Sequence, residues 1–222
     1  MAAHRTRDAL IEQGALLFAR HGVTGVTARQ LHEAVAARNE SALHYHFGGK
    51  EGLVAAIVTA HLEAVEARRG PLVVAIAAED RSGEVRALVH ALAAPMAEDL
   101  DSELGRAHLR IVAQLSHPAM AFQPPFRAVD APAGQAVARW LHEALGWLPD
   151  AVRRERLAAL REQLISLFGL RAQLLDERPG ELAGSTRLFL ENLVDMLVAG
   201  LAAEPSAATR AEATADGTEV DG

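Results

Sequence analysis

Cysteine is absent from the 222 residues. Without thiols the chain forms neither disulfides nor a thiolate zinc site, so its stability must come from a packed core. No apolar run approaches the length of a membrane span, and no N-terminal stretch joins basic residues to a signal-like apolar segment. A cytoplasmic protein with no membrane partner is expected. Lysine is nearly missing too: 21 of the 22 cationic side chains are arginine, a preference that points to a GC-rich genome. Enzyme signatures are missing in the same way. No His has Glu three positions before it, as a di-iron carboxylate bundle requires. His32-Glu33 and His142-Glu143 meet Ala36 and Gly146 where a zincin needs its second His. No Gly-x-Ser-x-Gly occurs, and Gly48-Gly49-Lys50 lacks the spacing and the following Ser or Thr of a phosphate loop. The expectation is a non-enzyme that carries no metal and no cofactor.

What is present is apolar content arranged at helical spacing. Half of the residues are hydrophobic, which excludes a largely disordered chain and leaves room for one large or two modest domains. Asp8 to His21 carries Leu10, Ile11, Leu17 and Phe18 on one stripe and stops at Gly22, which predicts a first helix. The next segment is the most telling one. Thr27-Ala28-Arg29-Gln30 fits a capping box, in which the Thr hydroxyl accepts from the backbone N–H three residues on and Gln reaches back. A second helix is therefore predicted from Thr27, with Leu31, Ala34 and Val35 on its apolar side. That pattern is lost over Ala36-Ala37-Arg38, and Asn39 then offers another N-cap. Two short helices with a tight link make a helix-turn-helix, whose second helix puts its N-terminal residues into the major groove.

The residues of that second helix suit the task. From Arg38 to Lys50 the chain has a cap, a short polar-faced helix, an aromatic stop and a cation, a combination with little use inside a core. Arg29, Arg38 and Lys50 are the cations within reach of the motif and are candidate phosphate contacts. Asn39, Ser41, Ala42 and His44 occupy the first turns, where Asn pairs with adenine, Ser with several bases and an Ala methyl with thymine. Thr27, at the start of the supporting helix, completes this set. Glu40 has two readings, as an acceptor for a cytosine amino group or as a repulsive residue turned to solvent. His44 and His46 are two apart, so on a helix they face different directions and make no metal pair.

At Tyr45-His46-Phe47-Gly48-Gly49-Lys50-Glu51-Gly52-Leu53 the chain resembles the tetracycline-repressor-like (TetR) family of bacterial transcription regulators. That family ends its motif with Tyr-His-Phe or Tyr-Tyr-Phe, one or two small residues, Lys, Glu and a Leu. The strict motif covers Thr27 to Leu53, and the helical segment from Arg5 to Arg69 agrees in length and pattern. Here the link between the two helices is one residue longer than in most members, and Ala36 stands where many carry Gly. The resemblance implies that Tyr45 and His46 touch the DNA backbone, while Phe47 packs beneath its helix. It also implies a homodimer on a palindromic operator in double-stranded DNA, repression as the default role, and release by a small-molecule effector.

Charge is distributed accordingly. The formal net charge is −7, yet residues 1–50 hold six cations against four anions, which leaves −9 for the remainder. Five of the ten His also lie in those fifty residues. A dimer doubles this basic face, and helix N-termini add partial positive charge.

The remainder reads as helices without strands, for about nine helices in an all-α chain. Leu53, Val54, Ile57, Val58, Leu62 and Val65 predict a fourth helix from Glu51 to Arg69, ending at Gly70-Pro71 unless Leu72 to Ala78 continues it. Further helices are predicted near Ser82–Ala94, Leu104–Ser116, Gly134–Leu148, Ala151–Leu175 and Ser185–Ala203. Ser116 to Pro132 holds four prolines and reads as loop. The division expected is a DNA-binding domain over residues 4–69, an effector-binding and dimerisation domain over 70–203, and a disordered acidic tail over 204–222 that lacks Leu, Ile and Phe.

Within the second domain, Leu157, Leu160, Leu164 and Leu167 on one helix, and Phe189, Leu193, Met196, Leu197 and Leu201 on the next, exceed what one core face needs. Such helices pair with a second copy in a four-helix interface, or else are buried on all sides of a monomer. Met96, Leu109, Val112, Phe122, Phe126, Trp140, Trp147 and Phe168 are large apolar residues available to line an effector pocket. His108, Arg110, Gln114, His117 and Arg171 are its possible polar anchors, and any of these residues can equally be ordinary core or surface. The competing functional class is an all-helical adaptor that binds another protein and has no affinity for DNA.

Overall fold

The computed structural model describes residues 2–34, 41–116, 130–181 and 184–218. Among these, every regular element is helical: ten α-helices and one 3-10 turn. They are α1 (Ala2–His21), α2 (Ala28–Ala34), α3 (Ser41–Phe47), α4 (Lys50–Ala78), α5 (Val85–Ala97), the 3-10 turn Glu98–Asp101, α6 (Glu103–Leu115), α7 (Pro132–Ala144), α8 (Asp150–Glu177), α9 (Thr186–Ala202) and α10 (Ala207–Thr218). The chain divides into two compact units. Unit 1 takes the described residues of Met1–Val65, Met96–Asp130 and Ile165–Ala183, and unit 2 those of Glu66–Pro95, Ala131–Leu164 and Gly184–Gly222.

The core of unit 1 follows from the stripes in its sequence. Leu10, Ile11, Ala15 and Phe18 of α1 meet Leu31 of α2, Leu43 of α3 and Leu53, Val54, Ile57 and Val58 of α4. These recur every three or four residues, so each helix buries one face. Ala107, Ile111 and Leu115 of α6 close the same cluster. The core that supports the helix-turn-helix thus includes a helix some fifty residues further along the chain. Ser102 starts α6 by accepting from the Gly105 N–H at 3.0 Å.

In unit 2 a half-buried ion pair does part of the joining. Glu66 accepts from the backbone N–H groups of Ala133 and Gly134, the first donors of α7 that lack an intrahelical acceptor, where Pro132 has no N–H to offer. Arg69 bonds Glu66 at 3.1 Å and the carbonyl of Ala91 on α5 at 3.2 Å. Burial pushes the Arg69 guanidinium below its ordinary value, against the opposing pull of Glu66. Ser185 caps α9 through the Leu188 N–H.

Four expected boundaries change. α1 begins at Ala2 rather than Asp8. α4 does not end at Gly70-Pro71 but runs to Ala78, because one missing hydrogen bond at Pro71 weighs less than burying Ile76. It ends instead in a Schellman arrangement, with Asp80 at φ 54°, Arg81 N–H on the Ile76 carbonyl and Asp80 N–H on that of Ala77. α5 likewise continues through Pro95 to Ala97. The segment after Ala203 was expected to be disordered, yet it is helical over Ala207–Thr218. Ala-rich composition favours the helix, and Ser206 caps it by accepting from the Thr209 N–H at 3.1 Å.

Candidate nucleic-acid interface

The start of α2 has the geometry its sequence requires. Gln30 N–H donates to the Thr27 hydroxyl at 3.3 Å, and Thr27 N–H donates to the Gln30 side-chain oxygen at 2.8 Å. The box fixes where α2 begins, and burial of Leu31 fixes its rotation about its own axis. Leu43 does the same for α3. With Leu43 turned inward, His44 is exposed and Tyr45 is 82% exposed. A tyrosine that open contributes nothing to the core and offers a ring and a hydroxyl to a partner. His46 is half-buried and meets the Tyr45 ring edge-on at 5.0 Å. Phe47 packs against the core cluster, as expected, with the Arg7 guanidinium 5.6 Å from its ring centre.

Two glycines make the aromatic stop possible. Gly48 donates to the His44 carbonyl with φ at 70°, so the chain leaves α3 through the left-handed region. At Gly52 a Cβ would lie 1.7 Å from the Phe47 carbonyl oxygen, so no larger residue fits at this position in the first turn of α4.

The remaining expected contacts are placed unevenly. Arg29 is exposed but holds Glu33 at 2.7 Å, which partly neutralises it. Lys50 turns inward, donating to the carbonyl of Val26 at 2.6 Å and to that of Thr24 at 3.4 Å. Ser41 and Ala42 form the first turn of α3, where only the backbone is described. Arg38, Asn39 and Glu40, together with the longer link and Ala36, lie outside the described residues.

Of the effector candidates, Met96, His108, Leu109, Val112, Phe168 and Arg171 belong to unit 1, with Leu109, Phe168 and Arg171 buried. Trp140 and Trp147 belong to unit 2, and Trp147 is exposed. Phe122 and Phe126 lie outside the described residues, as does His117. Two polar residues that sequence reasoning missed join His108. His61 of α4 is 3% exposed, its Nδ1 is 3.4 Å from an Asp99 carboxylate oxygen, and its ring centre is 5.4 Å from that of His108. A signal existed, because His61 falls on the stripe of Ile57 and Val65, where an apolar residue is the rule. Gln114 is engaged elsewhere, accepting from the Val23 N–H at 3.1 Å.

The dimer candidates also divide. Leu160, Leu164, Leu193, Leu197 and Leu201 are buried by the chain itself and have no face left for a partner. Leu157, Leu167 and Phe189 are half-buried, and Met196 is exposed.

No helix among the described residues is long and apolar enough to cross a membrane. No curated protein matches the chain. Among solved structures, a TetR family transcriptional regulator, PfmR from Thermus thermophilus, aligns with 87% of this chain and 99% of its own. The identity is 16% and the TM-score 0.41, so no residue role is carried across from it. Residues 10–57 match the family model described as bacterial regulatory proteins, tetR family, a span running from the middle of α1 to the first turns of α4. Over that segment the chain is similar to bacterial regulatory proteins of the tetR family, which supports a DNA-binding transcription regulator.

Proposed function

We propose that the protein is a cytoplasmic repressor that binds a palindromic operator as a homodimer and leaves it when a small-molecule effector binds. The observation that carries the DNA-binding part is the pairing of a closed capping box on α2 with a recognition helix whose Tyr45 and His44 are open. Asn39, Glu40, Ser41, Ala42 and His44 are assigned to base edges, and Arg29, Arg38, Tyr45 and His46 to the phosphate backbone, with Thr27 at the entry to α2. A dimer supplies two such helices at a fixed spacing, as a palindrome requires.

The effector is assigned to the side of unit 1 where His61, Asp99 and His108 meet beside α6. Its binding favours the conformation with lower operator affinity, and only a difference in affinity between the two conformations produces that effect. Dimerisation is assigned to the faces of α8 and α9 that the chain leaves uncovered, including Met196.

The test is selection and sequencing of random duplexes against the purified protein at two salt concentrations. A palindromic enriched site with affinity falling steeply as salt rises is the expected outcome. Enrichment of a single half-site would overturn the dimer. No binding to any duplex at either salt concentration would favour the protein-binding adaptor instead.

A further inference from the structure

The segment between α1 and α2 runs from Gly22 to Thr27, and its length alone does not fix how α2 is carried. Its backbone groups are held by side chains from three different helices. Gln114 of α6 accepts from the Val23 N–H at 3.1 Å. Lys50, the first residue of α4, donates to the Val26 carbonyl at 2.6 Å and to that of Thr24 at 3.4 Å, with its ammonium 6.0 Å from the Phe18 ring centre. Gln30 of α2 accepts from the Thr27 N–H at 2.8 Å. Gly22, at φ 78°, lets the chain turn into this segment.

We propose that Lys50 and Gln114 are positioning residues which fix α2, and through it the recognition helix α3, by clamping the backbone of this turn. Lys50 is the one lysine among 22 cationic residues. An ammonium is a compact charge with three tetrahedral donors and fits between converging carbonyls, whereas the planar guanidinium used everywhere else suits carboxylates and phosphates. A cation needed only for a phosphate has no reason to differ from the other 21. Gln114 is some ninety residues away in sequence, and through it α6 acts on the helix-turn-helix directly. The residue therefore belongs to the DNA-binding machinery and not to an effector pocket. This inference rests on the DNA-binding reading above and adds which groups set the geometry of the reading helix.

The experiment compares Kd for the selected operator and for a random duplex, across a salt series, for the full-length parent and four variants. Lys50→Met and Gln114→Leu each remove a clamp. Lys50→Arg keeps the charge but loses the fit, and Gln114→Glu keeps an acceptor for Val23. Melting curves and amide exchange at Val23 are recorded alongside.

Lys50→Met, Lys50→Arg and Gln114→Leu are expected to lower the operator-to-random ratio at least several-fold while the salt slope stays that of the parent. Combining Lys50→Met with Gln114→Leu should fall short of the product of the two, because both act on one turn. Gln114→Glu should keep the ratio, with Val23 exchanging as slowly as in the parent and faster in Gln114→Leu.

A slope flattened by about 0.9 in Lys50→Met, with the ratio kept and Lys50→Arg like the parent, would place Lys50 on a phosphate and overturn its part. An unchanged ratio and unchanged Val23 exchange in Gln114→Leu would overturn the other part. If the parent itself prefers no duplex, the regulator reading falls and this one with it. If the parent discriminates and the variants do so equally well, only the clamp falls.

Discussion

In unit 1, Leu10, Leu31, Phe18, Leu53 and Ile57 are at most 2% exposed, whereas in unit 2 α9 leaves Leu188 and Met196 each 59% exposed and α4 leaves Val74 at 69%. The helices nearest the candidate DNA face use their large apolar side chains internally and present polar groups with one open tyrosine. Those of unit 2 bury one face and keep apolar side chains over. A surface of the first kind suits a hydrated polyanion, and one of the second kind suits another protein. The units also differ in how they are joined. Unit 1 is closed by apolar packing onto α6, while unit 2 relies on Glu66 and Arg69 to link α4, α5 and α7.

The contrast breaks first at Phe18. Phe18→Ala removes a fully buried ring from the centre of unit 1 and should cost about 3–5 kcal/mol in chemical denaturation. A loss below about 1 kcal/mol would mean that the core of unit 1 repacks and is not the rigid support described. Next in size is the ion pair of unit 2. Glu66→Ala leaves Arg69 and the first N–H groups of α7 without their shared acceptor and should cost roughly 3 kcal/mol. The same denaturation experiment, showing no change for Glu66→Ala, would assign the joining of unit 2 to apolar packing alone.

Smaller effects sharpen the comparison. Ser102→Ala deletes the cap of α6, which is part of the unit 1 core, and should lower stability by about 1 kcal/mol. Met196→Glu should change the stability of a single chain by less than about 0.5 kcal/mol, because the side chain is already exposed. If α9 carries the dimer contact, that variant nevertheless sediments at half the mass of the parent. Equal masses for parent and variant would remove Met196 from any interface.

Much of unit 1 was legible because its signals are local. The Thr27–Gln30 box, the stripes of α1 and α4, and the packing of Phe47 each depend on residues within a turn or two of one another. Pro71 was not legible, since whether a helix stops or continues there depends on what Ile76 finds to pack against. The cluster of His61, Asp99 and His108 was hidden for a similar reason, as its members come from α4, the 3-10 turn and α6. Lys50 showed its charge in the sequence but not its direction, and the carbonyls it meets lie 24 and 26 residues away.

The sequence by itself determined the all-helical class and the helix-turn-helix segment, because periodicity, caps and glycine positions act over a few residues and need no partner. Only the tertiary structure decided that α6 joins the DNA-side core, that Gln114 and Lys50 hold the turn before α2, and which leucines of α8 and α9 are already covered. Those outcomes depend on contacts between segments distant along the chain, where burial and a satisfied carbonyl or N–H outweigh any local preference.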